Sequence, residues 1–116
     1  MTKRFVLYNT SNNQEVAEVE SASTFSRRLF GLLFEKSKES APALWLVPCK
    51  AVHTCGMRWP IDLIFLSKTF QVVEICKGVK PFSWPVVCWR AHSVVEISRD
   101  HWDKDAVRVG DQLVFR

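Results

Sequence analysis

Glycine is scarce in this chain, with four in 116 residues. Gly31, Gly56, Gly78 and Gly110 offer no phosphate-cradling Walker loop. There is no G-x-S-x-G elbow and no H-E-x-x-H pair, so the recognised hydrolase signatures are missing too. No apolar run approaches the roughly 20 residues that a membrane-spanning helix needs. The N-terminus, MTKRFVLYNTSNN, carries a brief apolar run but no secretory h-region and no small-residue cleavage site. Internal repeats and low-complexity tracts are lacking. A dense basic stripe is lacking as well: the net charge is +4, yet the only adjacent basic pairs are Lys3-Arg4 and Arg27-Arg28. Scattered charge of this kind permits weak attraction to anionic surfaces but does not predict specific nucleic-acid binding.

What remains points to one small globular domain spanning residues 1–116. A chain of that length buries roughly two thirds of its unfolded surface, enough for a core without staples. The hydrophobic fraction of 47% and the five Trp argue against disorder. Without an export signal the chain reads as cytoplasmic, which makes Cys49, Cys55, Cys76 and Cys88 thiols. Their even number does not establish pairing, and cysteine is among the most buried residue types.

Short strands dominate the pattern. Phe5–Tyr8 and Glu15–Glu20 read as strands around a polar turn, the second alternating Val16, Ala17 and Val19 with Glu. Phe25, Leu29, Leu32 and Leu33 then recur at helical spacing after a Ser23 or Thr24 cap, so a helix is expected in the N-terminal half. Further strands are expected at Leu44–Val47, Ala51–Cys55, Leu63–Leu66, Val72–Cys76, Val86–Arg90, Ser93–Ile97 and Leu113–Phe115. Ser98 and Asp100 predict a short C-terminal helix through Lys104. Gly110-Asp111 is a turn signal before the last strand. The expected class is α+β, mainly antiparallel, with the sheet curled toward a barrel.

The densest chemistry lies in Leu46–Leu66, LVPCKAVHTCGMRWPIDLIFL. Pro48, Cys49, Val52, His53, Thr54, Gly56, Met57, Arg58, Pro60, Ile61, Asp62, Phe65 and Leu66 follow the pattern P-C-x-x-V-H-T-x-G-M-R-x-P-I-D-x-x-F-L. This segment resembles the hallmark of the bacterial and archaeal domain of unknown function 192 family. The likeness covers most of the chain after about Ser21, with weaker matches at Arg28, at Gly31-Leu32-Leu33 and at Gly110-Asp111. It implies a barrel-like fold without implying a reaction. Relatives often carry export signals, and this chain departs from them there.

Three readings of the hallmark stand side by side. A turn at Pro60 would let Asp62 orient His53 as a general base, with Cys49 as a nucleophile and Arg58 as an anion clamp. The resulting enzyme would be hydrolase- or isomerase-like. Alternatively, Cys49 and His53 would ligate a soft metal. The C-x-x-x-H-x-C spacing is not a standard zinc pattern, and same-face neighbours on a strand lie ~7 Å apart, so neither metal nor cofactor is expected. The third reading is architectural: Asp62 accepts backbone N–H groups at a strand entrance, and a polar network fixes the chain's register.

The functional expectation that follows is a binding or accessory module for a small molecule or a protein partner, acting as a monomer. Its ligand-facing residues would be Arg58, Thr54 and Met57, with Phe82 and Trp84 from a loop bounded by Pro81 and Pro85. His92 and His101 have no spaced partner and receive no role.

Overall fold

The computed structural model describes residues 3–21, 43–52, 60–80, 85–98 and 102–116. Among the described residues nine strands run in the order β1 (Arg4–Asn9), β2 (Gln14–Ser21), β3 (Ala43–Leu46), β4 (Ala51–Val52), β5 (Ile61–Leu66), β6 (Val72–Val79), β7 (Val86–Val87), β8 (Ser93–Ser98) and β9 (Leu113–Phe115). Each overlaps a segment whose alternation or β-branched content predicts a strand.

The α+β expectation is corrected. No helix occurs among the described residues, which are all-β in architecture. The helix expected over 23–34 lies outside the described residues. Of the one expected from Ser98 through Lys104, residues 102–104 are irregular. The Asp103 carboxylate accepts the Asp105 N–H at 2.9 Å, and the Asp103 carbonyl accepts the Ala106 N–H at 3.0 Å. Such local bonds compete with helical ones and close a turn instead. Trp102, buried just before that turn, is drawn into the core.

Seven strands form one sheet in the order β6-β5-β8-β3-β2-β1-β9, and β4 and β7 form a separate two-stranded ribbon. Pairing is antiparallel except between β2 and β3, which are parallel, with Val19 opposite Ala43. A parallel pair cannot be closed by a tight turn and requires a crossover connection.

The sheet curls until its two ends meet at one corner. The Val72 N–H donates to the Asp111 carbonyl at 2.9 Å, and Gly110 and Leu113 donate to the carbonyls of Val72 and Phe70 at 2.8 and 3.0 Å. Register shifts at Leu7/Tyr8, Ile61/Leu63 and Phe65/Leu66 mark irregularities of the kind that sharpen strand twist. Trp45 on β3 stacks on Phe115 of β9 with centroids 4.1 Å apart, although two strands lie between them. That contact identifies the inside of the curl. Leu7, Val19, Ile64, Leu66, Val95, Ile97 and Leu113 fill it. The outer face of β3, β5 and β8 carries a second core of Leu44, Leu46, Leu63, Phe65 and Val94, joined by Val52, Cys88 and Ala91 from the ribbon and the turn after it.

Candidate functional site

Strand β5 holds the second half of the hallmark, and all six of its residues are buried. It lies between β6 and β8, and the inner and outer cores cover its two faces. This explains why Leu63–Leu66 is a continuous apolar run rather than an alternating one. Alternation still sorts the side chains. Leu63 and Phe65 belong to the outer core and Ile64 and Leu66 to the inner one. Asp62 is paired with Ile97, an inner-core residue.

Asp62 is fully buried. Its Oδ1 accepts the Gly78 N–H at 2.7 Å, and its Oδ2 accepts the Trp102 indole N–H at 2.9 Å. Burying a carboxyl group without partners is costly, and these two donors supply compensation. The register shift in β5–β6 pairing beside Asp62 leaves the Gly78 amide to the side chain. Asp62 thereby ties together β5, β6 and the C-terminal segment. The sequence points to Asp62 but not to its partners, which lie 16 and 40 residues further on.

Cys49 stands elsewhere. Its N–H donates to the His92 carbonyl at 2.8 Å and its thiol to the Ala51 carbonyl at 3.1 Å. It packs against the outer core, as Cys76 also does, and Cys88 lies inside that core. Cys49 and Asp62 are therefore on opposite faces of the sheet and are not brought together. Burial, followed by the nearby Glu74 carboxylate and Cys88, pushes the Cys76 thiol up. Burial first, then a hydrogen bond with Glu74, raises Cys88, and contacts with Arg90 only partly oppose this. Raised thiols are poor nucleophiles at neutral pH. Among the described residues, no three His, Cys, Asp or Glu side chains are grouped to hold a metal ion.

His53, Thr54, Met57, Arg58, Phe82 and Trp84 lie outside the described residues. The described strands fix where their segments attach. Residues 53–59 join the ribbon strand β4 to the start of β5, and residues 81–84 lie between β6 and β7. Val79 at the end of β6 pairs with Ile61 at the start of β5. One end of each of the two segments is thus anchored within a few residues of this pair.

Other buried polar groups were not anticipated. Glu20 and Glu96 are buried and both pair with Leu44, placing them in one row across the outer face. The Arg4 guanidinium lies 4.0 Å from the Glu20 carboxylate. Asn9, fully buried, donates to the Ala106 carbonyl and to Asp111, each at 2.8 Å, and so pins the C-terminal loop. Trp45 Nε1 and Ser93 Oγ are buried and have no hydrogen-bond partner among the described residues. A Glu in a strand reads as a solvent-facing residue from alternation alone, which is why these groups escape the sequence.

No helix among the described residues is long and apolar enough to cross a membrane. A UPF0127 protein of Pyrococcus furiosus is 31% identical over 113 residues, covering 92% of this chain and 95% of that protein. One from Pyrococcus horikoshii is 27% identical over 114 residues, covering 93% and 96%. In structure, the chain is similar to a Sinorhizobium meliloti 1021 protein provisionally described as a transcription regulator (TM-score 0.77, 19% identity, covering 99% of this chain and 94% of that one). It is also similar to a protein of unknown function from Novosphingobium aromaticivorans (TM-score 0.74, 19% identity, covering 97% and 84%). At that identity the structural likeness speaks to the fold alone. The model of DUF192, a family described as an uncharacterized ACR, matches residues 7–115, and the chain belongs to that family.

Proposed function

We propose that this chain is a single-domain, monomeric, cytoplasmic binding module that holds a small molecule or a protein partner through the first half of its hallmark. The observation that carries this reading is the placement of Asp62. Each of its oxygens already accepts an N–H inside the curled sheet. A carboxyl group so engaged serves first as a strut between strands. The nucleophile that an enzyme would need, Cys49, packs on the other face of the sheet. Binding then falls to Arg58 as the anion-holding fork, to Thr54 and Met57 beside it, and to Phe82 and Trp84 as aromatic contacts.

A thermal-shift screen of small carboxylates and phosphates tests this, with wild type beside Arg58→Ala and Trp84→Ala. The expected outcome is a saturable rise in Tm for at least one compound, recovered chemically unchanged, with the rise lost in both variants. A rise that persists in both variants, or conversion of the compound to a product, refutes the reading.

A further inference from the structure

The two-stranded ribbon presents an outward face to solvent. Val52 is buried and belongs to the outer core, and Val86 packs against that core. Their neighbours point the other way. Ala51, exposed, is paired with Val87, which is 42% exposed. Trp89 follows two residues later and is 79% exposed. Tryptophan is highly buried on average, so a Trp left in water contributes little to folding and calls for another account.

The turn carrying Trp89 is held firmly. The Ala91 N–H donates to the Cys88 carbonyl at 3.1 Å, closing the turn. Lys50 Nζ donates to the carbonyls of Trp89 and Ala91 at 2.9 and 2.8 Å. Arg90 Nη2 donates to the Val73 carbonyl at 3.2 Å, tying the turn to β6. Cys88, between the two exposed residues, is buried in the outer core. An indole presented on a backbone fixed from both sides loses little entropy on binding. Lys50 and Arg90, both exposed, make the rim cationic.

We infer that Ala51, Val87 and Trp89, rimmed by Lys50 and Arg90, dock an acidic segment of a partner protein. Trp89 enters an apolar pocket of the partner, and the two cations meet its carboxylates. Aromatic anchors with an Arg beside them are the composition of interface hot spots. The patch is too small for a bilayer: a single buried aromatic beside two cations gives only marginal membrane affinity. A protein pocket adds shape and fixed acceptors. None of these five residues is among those to which the proposed function assigns binding, so either reading can fail without the other.

The probe is a fluorescein-labelled peptide alternating Glu with Leu and Phe, followed by anisotropy. Wild type should bind it saturably and more weakly as salt rises. Trp89→Ala should weaken binding at least about tenfold, as loss of a hot-spot residue does. Arg90→Glu should weaken it as well, and a peptide with Lys in place of Glu should not bind. Trp89→Ala should fold normally, since it removes an exposed side chain. No binding of the acidic peptide, or equal binding by Trp89→Ala, overturns the inference. Binding to phosphatidylglycerol vesicles without binding to the peptide assigns the face to a bilayer and overturns it. A Trp89-dependent dimer assigns the face to a second copy of this chain and equally overturns it.

Discussion

Replacing Asp62 with Asn is the most informative single change. The two side chains have nearly the same shape, so the core is not emptied. What changes is the hydrogen bonding. Asp62 presents acceptors to two donors, the Gly78 amide and the Trp102 indole. A carboxamide keeps one oxygen and points an N–H2 group at the other donor. One buried donor is left without its acceptor, at a cost of about 1–3 kcal/mol. Asp62→Ala strands both donors and should cost about 2–6 kcal/mol by the same reckoning. Against a total stability of ~5–15 kcal/mol, either loss is large.

Denaturant unfolding of wild type, Asp62→Asn, Trp102→Phe and the double variant isolates the contact. Trp102→Phe keeps most of the ring and removes the indole donor, at a cost of about 1–3 kcal/mol. If the 2.9 Å bond is responsible, the double variant should fall short of the summed single losses by ~0.5 kcal/mol or more. An Asp62→Asn protein within about 0.5 kcal/mol of wild type refutes the strut. Strict additivity with Trp102→Phe refutes the specific partner.

Other substitutions probe separate features. Gly110→Ala should cost ~1–3 kcal/mol although a Cβ there meets nothing within 4 Å, because φ is +97°; unchanged unfolding would show that the turn relaxes freely. Ser93→Ala should be neutral or stabilising, since the buried hydroxyl has no partner among the described residues; a loss above about 1 kcal/mol would reveal one. Cys76 and Cys88, raised above their ordinary value of 9.0, should alkylate slowly near neutrality. With the folded values raised, their contribution to stability is complete below pH 9 and lost as pH climbs through the higher folded values, so stability should fall across that alkaline range. In Cys76→Ala/Cys88→Ala the alkaline decline should flatten. Phe65→Ala, which empties a fully buried site, should cost about 3–5 kcal/mol, whereas Arg58→Ala should abolish compound binding with little loss of stability.

The strands were legible because each carries its own signal. Val16, Val19, Val94, Val95 and Ile97 are β-branched, and the turn at Gly110-Asp111 announces itself locally. The topology was not legible. Nothing in Val16–Ser21 says that its neighbour is the parallel strand Ala43–Leu46 rather than an antiparallel partner. The C-terminal helix was misread because Ser98 and Asp100 are local capping signals. The Asp62–Trp102 bond reaches 40 residues, and the Asp103 turn wins over the helix. The site was half legible: the hallmark singled out Asp62 and Cys49, but whether two residues share a face depends on strand pairing. Trp89 was visible only as one of five Trp, since burial of an indole is decided by the whole fold.

The hallmark divides into two halves of different kinds. From Pro60 to Leu66 its pattern is the pattern of β5. Ile61 and Phe65 face the outer core, Leu66 faces the inner one, and Asp62 bonds β6 and the C-terminal segment to the strand between them. Every hallmark residue in that strand has a packing or hydrogen-bonding reason to be what it is. Matching this half therefore places a chain in the architecture, and it would do so whatever the chain binds. That is why membership of the family transfers the fold and carries no reaction with it. Chemistry peculiar to the protein has to come from side chains that the sheet does not already employ. In the hallmark the proposed binding function seeks them between His53 and Arg58, which lie outside the described residues. On the ribbon they begin at Ala51 and end at Arg90, where the fold has turned an indole outward and fixed the backbone beneath it.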